Sequence, residues 1–389
     1  MAIISILLAI LFIIDRIVKL TTVIHFFNRS APVPPEKYPT ISLIQPITRG
    51  AANLEYNLHS RFNLDYPAPI QHILICDAAD TQSQSICHYL QDYYSTVNIN
   101  ILTVEPNQGN IASKITKLQS GIAIAQADIL CFIDDDIALK SNAFLQMIPY
   151  LLQSGVGATF GLACANNWHP IWSSLMSIFV NANALISYIP ISYFTEPFTI
   201  TGHFFAIDRT NFDAAGGLAN MDSRIDDDHE LARRLKAIKL KAIQTPIIYQ
   251  VSNEFSNFFE YANQIKRWFV FPRQSMIEYL SLKERIISYT LSLGLFIPSL
   301  AAILALLFPS PINLLSLLTI LLVYLFVYVF CSFCYLKQSI FPWQLLLLTI
   351  VAIITPIQIF WALLLGDNEI MWRGQRLRIE KGGKYQVIK

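Results

Sequence analysis

Three apolar runs near the C-terminus decide which folds are open to this chain. Residues 286–308 (IISYTLSLGLFIPSLAAILALLF), 313–336 and 344–365 each reach the roughly 20 residues that a bilayer core requires. Hydrophobic residues make up 54% of the 389 and charged residues 14%, against roughly 25% charged in soluble domains. A wholly soluble protein is thereby excluded. Low charge also argues against disorder, and a net charge of +1 gives no electrostatic sign of a nucleic-acid partner. Pro298 and Pro356 make the first and third runs candidates for broken or re-entrant segments.

A further hydrophobic stretch opens the chain. It begins with AIISILLAILFII (2–14), extends to Phe27 and is interrupted by Asp15, Arg16 and Lys19. No basic residue precedes it and no small-residue cleavage site follows, so it reads as a retained anchor and not a removed signal. Arg29 and Lys37 after it, and the basic tail, place the downstream domain and the tail in the cytoplasm. The expected division is an anchor (1–27), a stiff proline-rich linker (28–40), a soluble-type domain (41–250), interfacial helices (251–285), membrane helices (286–366) and a basic tail (367–389). Four of the six cysteines fall in the soluble-type part, where reduced core thiols are expected. The Cys331-x-x-Cys334 pair lies inside a membrane run with no partner pair, which argues against zinc.

Between anchor and membrane runs, strand and helix patterns alternate. Short apolar runs at 41–47, 69–80, 97–106 and 128–133 predict buried strands. Helical spacing predicts helices over 53–62, 83–94 and 113–127. Such alternation predicts an α/β fold with a mostly parallel sheet and helices on both faces. Ligands of open sheets of this kind sit at the carboxyl ends of the strands. Asp77 and Asp134 both fall at that edge.

Four stations carry candidate chemistry: Asp77 in ICDAAD, Asp134-Asp135-Asp136 in CFIDDDIALK, Asp226-Asp227-Asp228 in IDDDHELARRL, and Gln264, Arg267 and Trp268 in QIKRW. The first triplet follows an apolar strand, where three like charges are costly. It is either a solvated turn or a site where a divalent cation and a phosphate offset the repulsion. The second triplet also suits a helix N-cap. Gln264, Arg267 and Trp268 share one helix face, which would equally suit an interfacial helix at the headgroups.

Together the stations resemble the D, D×D, D, (Q/R)xxRW pattern of inverting, membrane-bound glycosyltransferases of the GT-A fold. Within that group the chain most resembles the ceramide glucosyltransferase family, nearly from end to end. ISLIQPITRG and NLEYNLHSRFNLDYP are similar to that family's opening strand and helix. GNIASKITKL resembles its G…K-x-N-x-L segment, with Lys114 at the lysine and Thr116 where asparagine is usual. ITGHFFAIDRTNFDAAGGL resembles the stretch before the third acidic station, and WRGQRLRIEKGG its WRxxRxRxxxGG ending. The chain departs from the pattern with Asp227-Asp228 where Glu-Asp is frequent, and in residues 164–200, where an acceptor lipid would be chosen.

The resemblance implies a transfer of a sugar, glucose foremost, from a UDP-sugar to a lipid hydroxyl with inversion. Asp134 and Asp136 would hold Mg²⁺ or Mn²⁺ against the donor diphosphate, with Asp135 pointing the other way in an extended backbone. Asp77, Lys114 and Asp135 would bind the donor. Asp228 occupies the base position, and Arg267, Gln264 and Trp268 would serve the leaving diphosphate and the acceptor. The segment WHPIWSSLMSIF (168–179) is expected to form an interfacial amphipathic helix that, with the QIKRW helix, frames an entrance from the bilayer. Core packing of that helix is the alternative. A processive polysaccharide synthase shares the stations but needs more spans. Other lipid acceptors (diacylglycerol, a sterol-like lipid, a polyprenyl phosphate) stay open. A transporter or Ca²⁺-binding scaffold would place its acidic residues within the membrane runs, which this chain does not.

Overall fold

The computed structural model describes residues 1–105, 114–372 and 375–388. Helix α1 (Ala2–Asn28) is followed by β1 (Ile41–Pro46), α2 (Leu54–Phe62), β2 (Ile70–Asp77), α3 (Thr81–Tyr93) and β3 (Asn98–Val104). Next come α4 (Lys114–Ile124), β4 (Ile129–Ile133), the two-residue β5 (Ile137–Ala138), α5 (Ala143–Leu151) and β6 (Val156–Ala165). Helices α6 (Ile171–Asn183) and α7 (Ile189–Phe194) precede β7 (Phe204–Asp208), α8 (Arg209–Ala214), α9 (Asp227–Ala237) and β8 (Lys241–Val251). The chain then runs through α10 (Phe258–Phe271), α11 (Ile277–Tyr279), α12 (Leu282–Leu307), α13 (Pro311–Cys331) and α14 (Pro342–Phe360). It ends in β9 (Glu369–Trp372), β10 (Gln375–Ile379) and β11 (Tyr385–Ile388).

These elements form two compact units. One comprises residues 30–163 and 196–252, and the other residues 1–29, 164–195 and 253–389. Residues 164–195, expected inside the soluble-type domain, therefore cluster with the long helices instead.

The α/β unit is built on an eight-stranded sheet in the order β3-β2-β1-β4-β7-β6-β8-β5. Pairing from β3 through β4 is parallel, while β7 runs antiparallel to β4 and β6 antiparallel to β7. The parallel half is the half that strand–helix alternation predicts, and its strands match the apolar runs to within a few residues. Every residue of β1 and β4 is buried, as unbroken apolar runs require of strands covered on both faces. The antiparallel half escapes the pattern because β6 and β7 are as continuously apolar as the parallel strands, and direction leaves no periodic trace. Parallel β2, β1 and β4 share one carboxyl edge, and antiparallel β7 begins at that edge, with Phe204 opposite Ile133.

Among the described residues, the helical unit contains four helices long and apolar enough to cross a membrane: residues 171–194, 282–307, 311–336 and 342–364. Helices α12 and α14 continue through Pro298 and Pro356, so neither run is broken there. Helix α1 stands apart from these four because Asp15, Arg16 and Lys19 interrupt its apolar run. Helix α6 is buried on every face from Ser173 to Asn181, which is the signature of a packed helix. It is not the amphipathic surface helix expected. Its Trp172 packs edge-on against Phe258, with centroids 5.4 Å apart. The tail folds as an antiparallel three-stranded sheet, β11-β10-β9, in which Arg376 and Arg378 both pair with Glu369 at 2.6 and 2.8 Å.

Candidate functional site

The carboxyl edge of the α/β unit gathers the acidic stations. Asp77 is the last residue of β2 and is buried. Its Oδ1 accepts from Arg49 Nη2 at 2.7 Å and from the Ala79 N–H at 3.1 Å. On the neighbouring side of β1, the Thr48 N–H donates to Asp135 Oδ2. The two residues that follow Ile47 thus tie the first acidic station to the second.

Asp134–Asp136 form a turn between β4 and β5, so the backbone is not extended there. Burial nonetheless separates the three: Asp135 is buried, and Asp134 and Asp136 are half-buried. A buried arginine that sequence reasoning missed shapes this turn. Arg61 of α2 is fully buried and donates to the carbonyls of Asp134 and Ile137 and to Gln45 Oε1. Asn57 Nδ2 adds a hydrogen bond to the Asp135 carbonyl at 2.9 Å. Neither residue left a signal beyond its place on a helix before the second strand, because apart from Gln45 Oε1 their partners are backbone carbonyls.

Crowding marks Asp136. Burial, with Asp135 and Asp134 beside it, pushes its carboxyl up to about 8, although Arg61 opposes the rise. Its Oδ1 is buried without a hydrogen-bond partner. An orphaned carboxylate oxygen next to two further carboxyls fits a divalent cation. Among the described residues no group of three or more His, Cys, Asp or Glu side chains could hold a metal ion. The protein would thus give such an ion few ligands and leave positions open for phosphate oxygens and water.

Lys114, the first residue of α4, joins the second triplet to the first. Its Nζ lies 2.8 Å from Asp134 Oδ1 and 3.9 Å from Asp227 Oδ2. Burial works against its charge, but Asp134 and Asp227 outweigh it and hold the ammonium above its usual range. The GNIAS stretch before it lies outside the described residues, as does Arg373 of the tail pattern.

Asp228 sits in the first turn of α9. The Gly202 N–H donates to its Oδ2 at 3.1 Å and the His229 N–H to its Oδ1 at 2.8 Å. Partial burial, then the neighbouring Asp227, raises its carboxyl to about 7, with Lys114 pulling the other way. A carboxyl titrating near neutrality is suited to accept a proton in water. The capping alternative for this triplet is only partly met. Asp226 occupies the N-cap position but makes no side-chain cap, pairing instead with Arg224 at 3.0 Å. Glu230 one turn on binds Arg224, Arg233 and Arg234, which locks the start of α9.

Comparison with known proteins now decides the family. A model described as glycosyl transferase family 21 matches residues 4–385. The chain belongs to glycosyl transferase family 21. This family 21 glycosyltransferase is also similar to a mannosyltransferase, PcManGT from Pyrobaculum calidifontis, solved with GDP-Man and Mn²⁺. The TM-score is 0.56 at 16% identity, over 92% of this chain and 99% of that one. S. aureus TarS, solved with UDP-GlcNAc, matches at a TM-score of 0.40 and 11% identity over 90% of this chain and 99% of that one. The first likeness supports the GT-A-like fold, and the family match bears out the resemblance to ceramide glucosyltransferases drawn from the four stations.

The fourth station belongs to the helical unit of this glycosyltransferase. Gln264, Arg267 and Trp268 lie on α10, all half-buried. The Trp268 ring stacks on Phe179 of α6, with centroids 5.9 Å apart and planes 19° apart. The motif thus lies on one helix, as its spacing predicts, and α6 packs against that helix.

Proposed function

We propose that this membrane glycosyltransferase transfers a hexose, glucose foremost, from a UDP-sugar to a lipid hydroxyl with inversion, its catalytic domain facing the cytoplasm. The observation that carries the reading is the placement of Asp228. Its carboxyl is held by two backbone N–H groups, titrates near neutrality and lies in the field of Lys114, which also pairs with Asp134. In this reading Asp228 removes the proton of the lipid hydroxyl as its oxygen bonds to the anomeric carbon and the UDP oxygen departs.

Asp77, Asp135 and Lys114 would hold the donor, and Asp134 and Asp136 would hold Mg²⁺ or Mn²⁺. A bound divalent cation would neutralise charge on the diphosphate. The Mn²⁺ and GDP-Man in the mannosyltransferase complex support a nucleotide-sugar donor and a divalent ion. Arg267 would add positive charge toward the leaving group, while Gln264 and Trp268 would shape the acceptor end.

The test is incubation of the detergent-solubilised protein with labelled UDP-sugars and a panel of lipids carrying free hydroxyls: ceramide, diacylglycerol, a sterol and, as a phosphate acceptor, a polyprenyl phosphate. Glucose transfer to ceramide, lost in Asp228→Asn with donor binding kept, is the expected result. Transfer by Asp228→Asn near the wild-type rate would remove Asp228 as the base.

A further inference from the structure

The helical unit holds a pocket walled by α1, α6, α12, α13 and α14. Its cavity volume is about 40 Å³, open at the mouth, and Phe12, Phe179, Leu295 and Ile359 make much of its wall apolar. Arg16 of α1 lines this pocket and is 2% exposed. A guanidinium in such surroundings is costly unless both its charge and its N–H groups find partners.

The neighbouring groups meet that demand only in part. Asp15 Oδ2 lies 2.8 Å from Arg16 Nη2, and Asp15 Oδ1 lies 3.1 Å from Lys19 Nζ. Two cations thus share one carboxylate. Lys19 has a second acceptor in the Leu291 carbonyl at 2.7 Å. Arg16 has the Phe12 ring 4.7 Å from its Cζ, yet its Nε and Nη1 are buried with no hydrogen-bond partner. The trio therefore carries a formal net charge of +1, with two unmet nitrogen donors on Arg16 and one unmet acceptor, Asp15 Oδ2.

The surrounding helices are fitted to this trio. A Cβ at Gly294 of α12 would collide with the Asp15 carboxylate. Pro298 and Pro356 also line the pocket, and neither has an N–H to give the carbonyl one turn earlier, at Gly294 and Ala352.

The exposed side of α1 fixes where the charge lies. Its large exposed side chains are apolar from Ile3 to Val18, and Thr21 and His25 follow at exposed positions. Arg16 is therefore within about one helical turn of the end of the apolar band, within reach of headgroup level.

We propose that this pocket binds a membrane lipid by its phosphate, with Arg16 as the anion ligand and the hydrocarbon chain along the apolar wall. Neutral lipids would leave the net charge unanswered. The inference stands on the pocket alone and does not depend on the transferase reading.

Binding is tested on the delipidated full-length protein in detergent, by native mass spectrometry and by the rise in unfolding temperature that a ligand of the folded state produces. The probes are phosphatidylglycerol and a polyprenyl monophosphate against diacylglycerol and ceramide. Saturable binding of the phosphate lipids, weakened at least about tenfold by Arg16→Gln, a loss of about 1.4 kcal/mol, is expected. Tighter binding of phosphatidylglycerol would assign the site to bulk phospholipid, and tighter binding of the polyprenyl phosphate to an activated lipid; both retain the phosphate. Equal binding of the neutral lipids, or an unchanged Arg16→Gln, would overturn the proposal. Should Arg16→Gln fail to fold, Ala182→Phe fills the pocket with Arg16 in place. It is expected to abolish binding, and binding that persists there counts against the site.

Discussion

The Gly202 N–H and the Asp228 carboxylate are matched to each other: the N–H donates to Oδ2 at 3.1 Å, and a Cβ at position 202 would lie 2.8 Å from that oxygen. No side chain larger than hydrogen fits there unless the carboxylate moves. Gly202→Ala is therefore expected to displace the proposed base while leaving the sheet intact, since the residue precedes β7. A misplacement of about 1 Å costs up to about a hundredfold in rate. Transfer assays should show kcat reduced by roughly 10- to 100-fold with donor affinity kept; an unchanged kcat would show that the base lies elsewhere.

Asp228→Asn tests the same group by chemistry. An amide cannot take the proton, and general-base losses run to about 10²–10⁴-fold. Both carboxylate oxygens accept from backbone N–H groups, so the amide nitrogen would face one donor. A mildly lowered unfolding temperature should accompany the lost transfer, while UDP-sugar binding, measured by calorimetry, should persist.

Much of this edge was legible because its residues are rare in the chain. In so apolar a sequence, acidic triplets after a strand and before a helix stand out, and strand ends place Asp77 and Asp134 together without knowledge of the sheet order. The parts that were not legible act through the backbone. Arg61 and Asn57 bind carbonyls, Thr48 binds through its own N–H, and Gly202 acts by lacking a side chain. Such roles leave no pattern of residue types. The packing of α6 was hidden for another reason, since helical spacing of large apolar residues suits a buried helix as well as an interfacial one.

Arg61 is expected to be a positioning residue for the Asp134–Asp136 turn. Arg61→Met removes donors to two carbonyls and to Gln45, and each buried acceptor left unmet costs about 1–3 kcal/mol. The unfolding temperature should fall. The divalent-cation concentration for half-maximal donor binding should also rise by about tenfold or more, as loss of supporting residues around a metal does. A variant that only loses stability, with metal dependence unchanged at low temperature, would confine Arg61 to a structural part.

Lys114 links the two triplets electrostatically, and pH separates its effects. Asp228 titrates near 7 with Lys114 lowering it. The base must be ionised to act, so kcat/KM should rise as pH increases through about 7 and then level off. Lys114→Met removes the cation that favours the ionised form, so the carboxyl would hold its proton to higher pH. The midpoint of the rise should then move upward while the level above it also falls, because Asp134 loses its 2.8 Å partner. Lys114→Arg keeps the charge and should leave the midpoint near that of the wild type. A midpoint that stays at about 7 in Lys114→Met would mean that the titrating group is not Asp228, or that Lys114 does not act on it.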